Sequence, residues 1–137
     1  MRGAAAPGRV PATPADRSDV AAPGSVRRGR LLEPSAVPLA GERFEELVSA
    51  RGVRIEQILS SNDVEPTVYD QDTDEWVVVL AGAATLDLLA GDTVVESVEL
   101  LAGDWILLPA HTRHRVSRVE PATSWLAVHT EILRSPS

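Results

Sequence analysis

The sequence predicts an all-β fold, a barrel or sandwich of short strands. Three observations predict it. From Val53 onward, runs rich in Val, Ile, Leu and Trp recur with a turn signal every ten or so residues, at about the spacing of such folds. Gly82, Ala90-Gly91-Asp92 and Ala102-Gly103-Asp104 mark the turns. Between them apolar and polar residues alternate: Leu86 and Leu88 with Thr85 and Asp87, and Val94, Val98 and Leu100 against Glu96 and Glu99.

Taken in order, residues 1–30 carry Pro7, Pro11, Pro14 and Pro23, four glycines and no aromatic residue. Such a segment buries too little apolar surface to offset its ordering entropy, so a disordered arm is expected there. A folded domain is expected over 31–137. Leu31-Leu32 and Val37-Pro38-Leu39 read as an extended strap, since Pro34 and Pro38 forbid a regular helix. Phe44, Leu47 and Val48 stand at helical spacing, acids lie early, Arg51 lies late and Gly52 follows. That pattern predicts one short amphipathic helix over 41–52. Strands are expected at 53–59, 64–69, 76–80, 84–89, 93–101, 105–108, 113–119 and 124–129. The strands Trp76–Leu80 and Trp105–Leu108 are almost wholly apolar, so both faces need cover: the barrel interior on one side, and a second sheet, the strap or another subunit on the other.

Composition narrows the function. The 137 residues include no cysteine, which removes disulfides and thiolate metal sites. All 13 basic residues are arginine. Six of them fall in residues 1–30 against Asp16 and Asp19, whereas residues 31–137 carry 18 acids against seven arginines. An acidic domain argues against nucleic-acid binding. No apolar run is long enough to span a bilayer, and the start lacks the apolar stretch of a secretory signal. A soluble, cytoplasmic protein with no membrane partner is expected.

Two polar clusters stand out. Tyr69-Asp70-Gln71-Asp72-Thr73-Asp74-Glu75 leads into the apolar strand Trp76–Leu80 and Gly82, and Gly103-Asp104-Trp105 runs through Pro109 to His111 and His114. With these residues the chain resembles a small single-domain cupin, over roughly residues 53–130. The first cupin motif runs Gly, His-x-His, three or four residues, Glu, six residues, Gly. Here six residues separate Glu75 from Gly82, while Tyr69 and Gln71 stand in place of the two histidines. The second motif runs Gly, five residues, Pro-x-Gly, two residues, His, three residues, Asn. Gly103, Pro109 and His114 fit it; His111 replaces its second Gly and Arg118 its Asn. Tyr-Asp-Gln-Asp-x-Asp-Glu-Trp, Arg-His-Arg-Val and Trp-Leu-Ala-Val-His resemble a bacterial subgroup of one-domain cupins.

The resemblance implies a jelly-roll-like double-stranded β-helix barrel, often dimeric. It also implies a divalent ion (Fe, Mn, Ni or Zn) bound by two His, a Glu and a third His. This chain keeps Glu75 and His114. A neutral amide is a poor ligand and a tyrosine binds well only when deprotonated, so affinity should fall. The candidate pocket is Tyr69, Gln71, Glu75 and His114. The candidate metal ligands are Gln71, Glu75 and His114, with His111 a weaker fourth that is expected to face water. Asp70, Asp72 and Asp74 alternate with the pocket residues and are read as outward, solvated carboxylates. His129, with Trp125 and Ala127, is read as a packed or edge histidine. The three tryptophans are read as core or interface residues. No nucleophile elbow, phosphate loop or helical His pair is present.

The leading expectation is a barrel that binds or senses a small molecule, with at most a weak divalent-metal site, assembling as a homodimer. The alternatives are a metal-dependent enzyme of dioxygenase, isomerase or lyase type, and a structural or partner-binding protein with a vestigial pocket. Whether the chain is an enzyme stays open.

Overall fold

The computed structural model describes residues 24–130. Most of the arm expected over 1–30, and the end of the expected domain at 131–137, lie outside the described residues. Among the described residues eight strands follow one another: β1 Glu42–Ala50, β2 Val53–Ser60, β3 Asp74–Ala81, β4 Ala83–Ala90, β5 Thr93–Leu101, β6 Trp105–Leu108, β7 His114–Val119 and β8 Thr123–Thr130. They form an antiparallel five-stranded sheet in the order β1-β2-β8-β3-β6 and an antiparallel three-stranded sheet in the order β5-β4-β7. The all-β class is as expected.

The core lies between the sheets. Phe44, Ile58, Trp125, Ala127, Val77, Val79 and Leu108 come from the larger sheet, and Ala84, Leu86, Leu100 and Val116 from the smaller; all are 6% exposed or less. Burial of each large side chain contributes about 1.5–3 kcal/mol. The polar atoms that enter this layer are satisfied at one end: Trp125 Nε1 donates to Ser60 Oγ at 2.9 Å, and that hydroxyl donates to Glu42 Oε2 at 2.8 Å.

The helix expected over 41–52 is instead β1 and the β1–β2 turn. Its helical spacing arises from a bulge. Glu42, Phe44 and Glu46 keep the two-residue period opposite Ser60, Ile58 and Glu56, and the register then shifts between Glu46 and Val48. The bulge displaces the alternation and imitates a three-and-four spacing. Arg51 and Gly52 do not stop a helix. Both have positive φ (53° and 77°), as a two-residue type I′ hairpin requires.

Two other expectations change. Residues 64–69 form no strand; only Tyr69 bridges, to His114. The strap contains a 3-10 turn at Pro34–Ala36, the only helical turn among the described residues. The strap is tied down at Leu32, whose N–H donates to Gln57 Oε1 at 2.7 Å and whose carbonyl accepts from Gln57 Nε2 at 3.1 Å. Leu39 stays fully exposed. No helix among the described residues is long and apolar enough to cross a membrane.

Candidate functional site

Strand alternation and register assemble a polar end within the barrel. Ile58 and Trp125 are partners in the core, so Glu56 and Arg54, two and four residues earlier in β2, share their face. Arg54 stands opposite His129, and His129 stands opposite Glu75. Glu75 in turn faces Leu108 of β6. From the other sheet β7 begins with His114, paired with Leu88, and brings its imidazole across to Glu75.

Two loops close this end. Tyr69 N–H donates to the His114 carbonyl at 2.8 Å and His114 N–H to the Tyr69 carbonyl at 3.1 Å. His111 N–H donates to the Gln71 carbonyl at 2.7 Å. Ala110 N–H donates to Asp74 Oδ1 at 2.8 Å. Asp74 is therefore a correction to the outward reading: it is buried at 2% and holds the second loop. Asp70 and Asp72 are exposed, as read.

Glu75 and His114 are each 1% exposed, His129 is 3% and Glu56 is fully buried. Gln71 Nε2 donates to Glu75 Oε1 at 2.9 Å. His114 Nε2 stands 3.7 Å from the same oxygen, and His129 Nε2 stands 3.9 Å from Glu75 Oε2. His129 Nε2 lies 3.1 Å from Glu56 Oε2. The result is a buried chain, Glu56–His129–Glu75–His114. Tyr69 flanks it, with its ring centroid 5.8 Å from that of His114.

Burial sets the electrostatics. It pushes the His114 imidazole down to about 4, outweighing the bond to the Thr112 carbonyl, which raises it. His129 is lowered for the same reason, against its bond to Glu56. Burial favours the neutral form of both rings, and in that form their partners fix the tautomers. A carbonyl only accepts, so His114 Nδ1 carries hydrogen and donates to Thr112 O at 2.7 Å. A carboxylate accepts likewise, so His129 Nε2 donates to Glu56. The remaining nitrogens, His114 Nε2 and His129 Nδ1, present lone pairs; both are buried and have no hydrogen-bond partner among the described residues.

The structure thus brings Tyr69, Gln71, Glu75 and His114 together and leaves His111 outside. His111 is 68% exposed and its Nδ1 lies 2.9 Å from Asp70 Oδ1. Its φ of 64° explains why the motif it departs from has glycine there. Sequence reasoning missed Glu56 and Arg54. Val53 and Ile55 are the apolar residues of that stretch, and alternation assigns them to the inside; they lie on the outer face instead.

The divalent ion that the resemblance implies fits this donor set poorly. Gln71 turns an N–H toward Glu75, which makes it a hydrogen-bond donor there. That leaves Glu75 and His114 from the implied quartet. Among the described residues no group of three or more His, Cys, Asp or Glu is arranged to hold a metal ion.

No protein-family model and no curated protein matches the chain. Solved structures do. A protein of Ralstonia eutropha JMP134, provisionally assigned as a mannose-6-phosphate isomerase, is 34% identical with a TM-score of 0.62, over 75% of this chain and 99% of its own. An RmlC-like cupin from Desulfovibrio desulfuricans is 21% identical with a TM-score of 0.62, over 78% of this chain and 98% of its own. KdgF from a Halomonas species is 18% identical with a TM-score of 0.58, over 66% and 81%. The last two show the fold alone. The Ralstonia likeness spans nearly that whole protein at a third of identical positions, on the same two-sheet barrel that carries Glu75, Gly82, Gly103, Pro109 and His114 at motif spacing, and this chain therefore belongs to the cupin superfamily.

Proposed function

We propose that this barrel binds a small polar molecule at its polar end and holds a divalent ion weakly at most. The observation that carries this reading is the contact of Gln71 Nε2 with Glu75 Oε1 at 2.9 Å, where an implied ligand is replaced by a hydrogen-bond donor. The pocket groups are Tyr69, Gln71, Glu75 and His114, supported from behind by His129 and Glu56.

One observation favours a second reading, a metal-dependent cupin enzyme. His114 donates through Nδ1 to a carbonyl and keeps Nε2 bare, the arrangement of a metal-ligating histidine. The assignment of the Ralstonia relative as an isomerase supports it as well. In that case Glu75 and His114 hold the ion and Gln71 contacts the substrate.

The test is elemental analysis together with native mass spectrometry on protein purified without a metal-affinity tag. A retained small molecule, lost in Glu75→Gln, with metal well below one equivalent, is expected. Near-stoichiometric Fe, Mn, Ni or Zn that disappears in His114→Ala would replace the first reading with the second.

The protein is further proposed to be a homodimer. Trp105, Leu107 and Leu101 are 60%, 40% and 52% exposed, on and beside the edge strand β6, which supports a covered face in the assembled protein.

A further inference from the structure

The outer face of the larger sheet is covered on one half. Ile58 points into the core, so its neighbours Gln57 and Leu59 point the other way. Both are nonetheless buried, and Leu59 stands outside the core cluster between the sheets. Their cover is the strap. The Gln57 amide bonds both backbone groups of Leu32, and its Nε2 also donates to Ser124 Oγ at 3.1 Å. Arg43, the register partner of Leu59, donates from Nη1 to the Ala36 carbonyl at 3.4 Å. The chain from Leu32 to Ala36 therefore passes over Leu59.

The strap is held differently from the strands beneath it. Among the described residues its backbone–backbone bonds are those of its own turn, Ala36 N–H to the Glu33 carbonyl at 2.9 Å and Val37 N–H to the Pro34 carbonyl at 3.1 Å. The hydrogen bonds that tie it to the sheet run through side chains. They are the Gln57 pair, the Arg43 bond, and Arg27 Nη2 to the Leu47 carbonyl at 3.5 Å; the last two are long. No residue from 24 to 40 is itself buried. A segment with few buried apolar contacts and an exposed backbone opens at a lower free energy than a packed sheet. Pro34, Pro38 and the turn between them stiffen it, so it moves as one body. Its far end is pinned: Gly41 N–H donates to the Asp63 carbonyl at 2.9 Å, and the Gly41 carbonyl accepts from Ser61 N–H at 3.0 Å and Ser61 Oγ at 2.9 Å.

We propose that residues 31–38 are a latch, a strap that swings off the larger sheet about Gly41 while the barrel stays folded, with Gln57 as its catch. Gln57, Leu126, Val78 and Trp105 form one row of register partners across β2, β8, β3 and β6. Opening joins Gln57, Leu59 and Ser124 to the exposed face around Trp105. The strap thereby sets how far that face extends.

The chain has no cysteine, so one introduced thiol reports one position. Leu59→Cys places it under the strap. Val77→Cys, buried between the sheets, marks unfolding of the barrel. Both full-length variants are labelled with a thiol reagent in urea below the unfolding transition. The thiol of Leu59→Cys is expected to react at least about a hundredfold faster than that of Val77→Cys, at a rate nearly independent of urea, because strap opening exposes little surface. Adding Gln57→Leu removes the bonds of the amide and should speed that reaction about tenfold or more, with the urea dependence still flat. Should Leu59→Cys not fold, the nearly isosteric Ser124→Cys, which lies under the same amide, is read by the same criteria. Labelling at the rate and urea slope of Val77→Cys would mean that strap and barrel open only together and would overturn the latch. Fast labelling that Gln57→Leu leaves unchanged would overturn Gln57 as its catch.

Discussion

His129 Nε2 donates to Glu56 Oε2 at 3.1 Å across the β8–β2 pair, with both side chains buried. This bond fixes the tautomer of His129 and anchors the chain that ends at His114. Glu56→Ala leaves a buried N–H without its acceptor. It is expected to lower unfolding free energy by about 1.5–3 kcal/mol, the range for a hydrogen bond to a charged group. Glu56→Gln keeps an acceptor in place and should cost less than half of that. Urea denaturation of the three proteins checks the ranking; equal losses in both variants would mean that shape, not the bond, sets the stability.

The pair also shows where the sequence was readable. Glu75 and His114 were found because a motif spacing marks them. The strands from Val53 on, apart from the one expected at 64–69, and the β4–β5 hairpin followed from alternation and turn residues. Glu56 stayed hidden because alternation is a rule about apolar residues. In Val53-Arg54-Ile55-Glu56 it sends the charged pair outward, whereas the interior of this barrel end is the polar side. β1 was misread as a helix because the bulge after Glu46 sets Leu47 and Val48 side by side on a broken period. Asp74 was read as solvated because its acceptor role depends on Ala110, which is close only in three dimensions.

Acid sensitivity follows from the two histidines. Burial holds His114 down to about 4, against an upward push from Thr112, and lowers His129 too. In the unfolded chain both take up protons near about pH 6.5. Between those values the unfolded state binds more protons, so stability rises with pH. It is fully present above about pH 6.5 and is lost as pH falls toward 4. For His114 the whole window amounts to about 3 kcal/mol, at about 1.4 kcal/mol per unit. Urea midpoints near pH 7 and near pH 5 should differ accordingly, and His114→Gln should flatten the difference. An unchanged wild-type midpoint would show that the rings are already charged in the native state.

Gly82 joins β3 to β4 with a φ of 86°, and a Cβ there would collide with Thr123 Oγ1 and lie 2.9 Å from Thr123 Cα. Gly52 has a similar φ of 77°, but a Cβ there meets nothing within 4 Å. Both substitutions to alanine pay the left-handed backbone cost of about 1–2 kcal/mol. Only Gly82→Ala adds overpacking of about 1–3 kcal/mol. Gly82→Ala should therefore melt well below Gly52→Ala in a thermal scan. Similar midpoints for the two would mean that Thr123 moves aside without cost.

Trp76 and Trp105 meet on the outer face of the larger sheet, with ring centroids 6.0 Å apart at 35°. Trp105 is 60% exposed on the edge strand, with Leu107 and Leu80 at 40% and 39%. These side chains lie on the face opposite the polar end, so a charge placed there tests assembly without touching the pocket. Trp105→Glu is expected to halve the mass seen by light scattering after size exclusion. Because an exposed substitution alters folding by little, about 0.5 kcal/mol or less, its monomer should keep the histidine nitrogen shifts of the wild-type polar end. A wild-type protein that elutes as a monomer at high concentration would reject the homodimer, and the exposed tryptophan would then need another partner.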